Sequence, residues 1–206
     1  MKAFALILLS LLLSAAPLSF ASSAIERGKV VAATCVACHQ NNGMGLNHEQ
    51  GDSWPRLAGL DADYIKKQLN DFKQGKRDNA TMKPFASMLN DQQINDVAQY
   101  FSSLKASAIN SKADQKLIQQ GKKLATQGDW QRYIVPCSKC HGPDNQGSGA
   151  HFPAIVQQQP NYLTAQLNAF KDGTRSNDPQ QLMQAIAKRL SAQDIQALAA
   201  YLASQP

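Results

Sequence analysis

The chain of 206 residues has room for one ordinary domain or two small ones, and its 43% hydrophobic content is that of a globular protein. The formal net charge of +6 comes from dispersed lysines and arginines with no aromatic stacking platform among them, which argues against nucleic acid as a partner. Residues 22–106 hold ten Lys/Arg against nine Asp/Glu, and residues 107–206 hold ten against six, so the second half is the more basic. That bias could steer the chain toward an acidic protein or an anionic membrane surface as a peripheral partner, and an ordinary solvated surface explains it equally well.

Residues 2–21, KAFALILLSLLLSAAPLSFA, pair an early lysine with an apolar core and end in small residues, the pattern of a secretory signal peptide. The core covers about a dozen residues, short of the roughly 20 needed to span a bilayer. Small residues at the positions read by the peptidase put the mature start at Ser22 or Ile25, and export puts the protein in the periplasm. A helix is expected from about Ile25, leading into Cys35.

The four cysteines lie in CVACH, Cys35 to His39, and CSKCH, Cys137 to His141. Two thiols three positions apart can reach the two vinyl groups on one edge of a porphyrin, and the adjacent histidine then points its imidazole at the iron. Two structural disulfides, a redox-active dithiol or a four-thiolate zinc site are the alternatives. The zinc site gives no reason for histidine to follow both pairs, and exported thiols are at risk of oxidation. The spacing therefore predicts two covalently bound haem c groups on Cys35, Cys38, Cys137 and Cys140, with His39 and His141 as iron ligands.

A second axial ligand is needed on the far face of each haem, and methionine suits electron transfer. Met183 is the only methionine beyond Met88 and lies 42 residues after His141. An internal repeat identifies its counterpart. WPRLAG at Trp54 is echoed by FPAIV at Phe152, YIKKQLNDFKQGKR from Tyr64 by YLTAQLNAFKDGTR from Tyr162, and LNDQQINDVAQYFSS from Leu89 by LSAQDIQALAAYLAS from Leu190. Met82 and Met183 both precede the leucine of the last block by seven residues, whereas Met88 aligns with Arg189 and is read as packing. Met44 is too near its own pentad to serve the opposite haem face.

The same blocks predict helices. Tyr64, Ile65, Leu69 and Phe72 share a face that ends at Gly75, and Tyr162, Leu163, Leu167 and Phe170 share one that ends at Gly173. Asn90 with Gln93, and Ser191 with Asp194, resemble N-caps of amphipathic final helices. A further helix is expected from about Asp114, and no stretch reads as a strand pair. Polar, small LKASAINSKAD links copies of about 90 residues, a size at which a protein core alone is marginal and haem supplies the missing apolar body. Arg77 and Arg175 recur and suit either haem propionates or helix-end surface; His48 and His151 read as loop residues.

Together, the two pentads, WPRLAG and FPAI, the two Y-x3-QL-x2-F-x2-G-x-R segments and both Met-x6-Leu stretches resemble the cytochrome c4 family. The resemblance implies an all-α fold of two tandem class I cytochrome c domains, residues 22–106 and 107–206 with a linker near 105–113, each wrapped around one haem. It also implies that Pro55 and Pro153 offer their carbonyls to His39 and His141, which orients each imidazole. Gln40 departs from the glycine common in the family, which Gly142 keeps, and residues 129–136 lengthen the approach to the second pentad. The expected activity is electron carriage, without an enzymatic role, between respiratory donors and a terminal oxidase or reductase. The rivals are a diheme enzyme of the peroxidase or thiosulfate-oxidising type and an electron-entry subunit of a membrane complex.

Overall fold

The computed structural model describes residues 16–109 and 113–206, the side chains of 16–23 excepted. The expected signal segment lies largely outside the described residues, as does the centre of the expected linker. Helices of the first half are α1 (Ala16–Val31), α2 (Val36–His39), α3 (Ala62–Lys73), α4 (Met82–Ser87) and α5 (Asp91–Ser103). Those of the second are α6 (Gln115–Gln127), α7 (Ser138–His141), α8 (Pro160–Asp172), α9 (Leu182–Ala187) and α10 (Ala192–Ala203). Among the described residues, extended pairing is limited to the isolated bridges Leu46–Trp54, Asp129–Ile134 and Ser148–Phe152.

Each half is closed by its first and last long helices, α1 against α5 and α6 against α10. Glycine makes both crossings possible. A Cβ on Gly28 would lie 2.0 Å from the Asp96 carbonyl oxygen, and one on Gly121 would lie 1.9 Å from that of Ala197. Behind the crossings, Ile65, Val97 and Phe101 are buried in the first core, and Leu163, Ile195 and Leu198 in the second. These are the apolar faces that the helical periodicity predicts.

Caps follow the sequence signals closely. Asn90 and Gln93 form a reciprocal capping box on α5, and Ser191 and Asp194 form one on α10. Asp114 caps α6 by accepting from the Lys116 and Leu117 backbones. Gly75 follows α3 at φ +72°, and Gly173 ends α8 at φ +77°. One boundary differs: α1 is already helical well before Ile25 and runs through both expected cleavage positions.

Candidate haem-binding sites

Both CxxCH pentads fold as a helical turn, with the His39 and His141 backbone N–H groups each donating to the first cysteine's carbonyl at 2.9 Å. One turn brings cysteines three apart onto a common side. His39 Nδ1 lies 2.9 Å from the Pro55 carbonyl oxygen, and His141 Nδ1 lies 2.7 Å from that of Pro153. A carbonyl can only accept, so Nδ1 carries the proton and Nε2 keeps its lone pair. Burial lowers the pKa of both imidazoles, partly opposed by these hydrogen bonds, and leaves them neutral and suited to a metal.

Gln40, the departure after the first pentad, adopts φ +62° and ψ +161°, nearly the φ +77° and ψ +175° of Gly142. The turn out of each pentad demands the same backbone shape. The first copy meets that demand with a residue that carries a Cβ, so it bears the strain.

Met82 and Met183 occupy equivalent places near the start of short helices pinned from upstream. Asn79 Oδ1 accepts from the Met82 N–H at 2.8 Å, and Asp178 Oδ2 accepts from the Met183 N–H at 2.8 Å. A turn at Pro179–Gln181 accounts for the three residues by which the second copy is longer between its arginine and its methionine. Downstream, Lys73 and Lys171 reach from α3 and α8 to the Leu89 and Leu190 carbonyls, each at 2.6 Å. These lysines hold the end of each methionine segment. Their recurrence after the repeated phenylalanine was a signal available in the sequence. Met88 is 68% exposed, which corrects its reading as a packing residue: it lies one turn past Phe85 at the solvent-facing end of α4. Met44 is buried, with its sulfur 3.4 Å from the Ser107 backbone N–H.

One continuous cavity of about 710 Å³ takes in both sets of residues: Cys35, Cys38, His39 and Met82 on one side, Cys137, Cys140, His141 and Met183 on the other. Its walls include Phe72, Phe101, Phe170 and Leu198. The wall chemistry fits two large apolar cofactors. Among the described residues no three or more His, Cys, Asp or Glu side chains are grouped as a four-thiolate zinc site would require. Burial also raises the Cys35 thiol and pushes Cys137 up to about 11, the opposite of a redox-active thiolate pair. His151 lies on the cavity wall, and His48 packs edge-on against Trp54 at 4.4 Å.

Where the domains meet, Arg77 and Arg175 are both buried, which sets aside the helix-end-surface alternative. Arg77 donates to Gln68 at 2.8 Å within its own domain, and across the interface to Tyr162 at 2.9 Å and Gln166 at 2.8 Å. Arg175 mirrors it with Gln166 at 2.7 Å, Tyr64 at 3.4 Å and Gln68 at 3.2 Å. Each guanidinium also lies over the phenylalanine of the helix that precedes it, Phe72 at 4.7 Å and Phe170 at 4.4 Å. Burial and the like charge of Arg77 lower the pKa of Arg175. Two buried cations facing one another on the cavity wall suit an anionic group such as a haem carboxylate.

The family model for cytochrome c matches residues 25–105 and again 118–206. The thiosulfate dehydrogenase electron acceptor of Thiomonas intermedia (strain K12) is 41% identical over 206 residues, covering 100% of this chain and 91% of that protein. Cytochrome c4 of Pseudomonas aeruginosa is 36% identical over 199 residues, 96% of each chain. The crystal structure of reduced recombinant cytochrome c4 from Pseudomonas stutzeri matches with a TM-score of 0.80 at 34% identity, over 87% of this chain and 97% of that one. Two cytochrome c domains in tandem carry two covalently bound haem c groups on Cys35 and Cys38 and on Cys137 and Cys140. The chain belongs to the cytochrome c4 family and is a diheme electron carrier.

Proposed function

We propose that this carrier works in the periplasm after removal of its signal peptide, with His39 and Met82 as the axial ligands of the first haem and His141 and Met183 as those of the second. The supporting observation is the repeated pairing, on one cavity, of an imidazole fixed through its Nδ1–H with a methionine whose segment is held at both ends. Bound haem supplies a one-electron couple. The residues of this chain hold that couple in place. Neutral imidazole and thioether groups in an apolar pocket disfavour the extra charge of the ferric form and raise the potential. Pro55 and Pro153 prevent the rings from turning. Arg77 and Arg175, at the junction of domains 22–106 and 107–206, would hold the haem carboxylates.

With His39, Met82, His141 and Met183 filling the axial positions, neither iron would be open to substrate, and the protein would carry electrons rather than perform the chemistry of its partners. Redox proteins are those partners. The relative from Thiomonas accepts electrons from a thiosulfate dehydrogenase, and we assign this chain a donor of that kind, with a terminal oxidase or reductase as acceptor.

Optical spectroscopy and redox titration of the diheme protein test the ligands. Met82→Leu and Met183→Leu should each remove half of the sulfur-to-iron charge-transfer band and lower one potential, while Met88→Leu leaves both unchanged. A full band in Met82→Leu would overturn the assignment. Rapid reduction by a thiosulfate dehydrogenase with thiosulfate present tests the donor, and reduction no faster than by thiosulfate alone would reject it.

A further inference from the structure

We propose that Arg56 is a positioning residue shared by both haems: its fixed positive charge, held between the Pro55 and Pro153 loops, raises both reduction potentials. The inference rests on His39 and His141 being the axial ligands that those prolines orient.

Arg56 follows Pro55 directly, is 1% exposed and lines the haem cavity. Its own backbone is completed by the other domain: the N–H donates to Gln158 Oε1 at 2.7 Å, and the C=O accepts from Gln158 Nε2 at 3.0 Å. The guanidinium donates to the carbonyl of Ala58, and across the interface to those of Val156 at 3.0 Å and Ala154 at 3.5 Å. Ala154 is the residue after Pro153. The side chain therefore bridges the two loops that orient the histidines.

All partners of the guanidinium are neutral carbonyls. Among the described residues the ion pairs involve other arginines and lysines, and Arg56 Nε is buried without a hydrogen-bond partner. Burial lowers its pKa to about 10, which still leaves it charged at neutral pH. Ala154 stands at the equivalent position of the second copy, so one arginine serves the pair.

A cation in a low-dielectric pocket opposes the gain of positive charge when ferrous iron becomes ferric. A haem carboxylate meeting the free Nε would have its own charge offset by the same guanidinium, so the sign of the effect does not depend on that contact. The carbonyl contacts alone would orient the loops without moving the potentials by charge. A neutral replacement and a charged one therefore separate the two roles.

The experiment is redox titration of the intact diheme protein at pH 7 for wild type, Arg56→Met and Arg56→Lys. Both potentials should fall in Arg56→Met and stay near wild type in Arg56→Lys, with the low-spin spectrum and the sulfur-to-iron band retained in each. Unchanged potentials in Arg56→Met would overturn the proposal, as would an equal fall in Arg56→Lys. If Arg56→Met does not load both haems, Arg56→Gln, which keeps a donor for the carbonyls, is titrated against the same criterion. A wild-type protein without the band would reject the ligand assignment instead, a result distinct from any shift at Arg56.

Discussion

The two domains have the same framework, but the first carries buried charge where the second is apolar. At the α1–α5 crossing, Asp96 is buried and accepts from Arg27 Nε at 2.7 Å and Nη2 at 2.9 Å. Ala197 occupies that place in α10. On α3, Asp71 accepts from Lys67 and from Asn177 Nδ2 at 2.6 Å, while Lys67 donates to the Asn177 carbonyl at 2.8 Å. The equivalent positions on α8 are Ala165 and Ala169, so this clasp runs one way only. Arg56 opposite Ala154 makes a third case. Duplication preserved what holds the cofactor, and divergence changed the charge around it.

The largest test of that contrast is Asp96→Asn. Removing a charge that accepts several hydrogen bonds should lower the thermal midpoint of the first domain by roughly 10–20 °C, leaving the second unchanged, as read by domain-resolved hydrogen exchange. The effect has a defined pH sign. The Arg27 hydrogen bond holds the Asp96 carboxyl below the usual carboxylate range, and this outweighs desolvation. Its stabilisation is complete above that range and is lost as pH falls through the lowered value, so wild type and variant should converge in acid.

Asp71→Ala should have a smaller effect, roughly 1–2 kcal/mol, because one carbonyl partner of Lys67 survives. Faster amide exchange confined to residues 174–178 and the facing part of α3 is the expected reading; uniform loosening would break the one-way description. The smallest effect has the opposite sign. Gln40→Gly should stabilise the first domain by about 1 kcal/mol in denaturant melts, by relieving a backbone shape that the second domain already meets with glycine. A destabilised variant would show that the Gln40 side chain contributes more than the strain costs.

Local chemistry made much of this legible in the sequence. CxxCH spacing, capping boxes and Met-x6-Leu act over a few residues, and the repeat aligned Met82 with Met183 without reference to tertiary structure. The interface was harder to read. Arg77 and Arg175 recur visibly, yet their partners lie in the other domain, 85 and 89 positions away for Arg77 and 107 and 111 for Arg175. Nothing in a helical face identifies such a partner. Gln158 was silent for a related reason, since a side chain that completes another domain's backbone has no periodicity. Met88 misled because an apolar residue before an amphipathic helix usually packs, and here the end of α4 faces solvent.

The arginine, glutamine and tyrosine contacts between the domains come in mirrored pairs. Arg77 meets Gln166 as Arg175 meets Gln68, and Arg77 meets Tyr162 as Arg175 meets Tyr64. That is the symmetry of an isologous dimer contained within a single chain. In such an interface every substitution is presented twice, so a separate single-domain chain could not hold Lys67 and Asp71 on one side with alanines on the other. Joining the copies removes that restriction, and each half can then diverge in charge while the twofold contact still registers them.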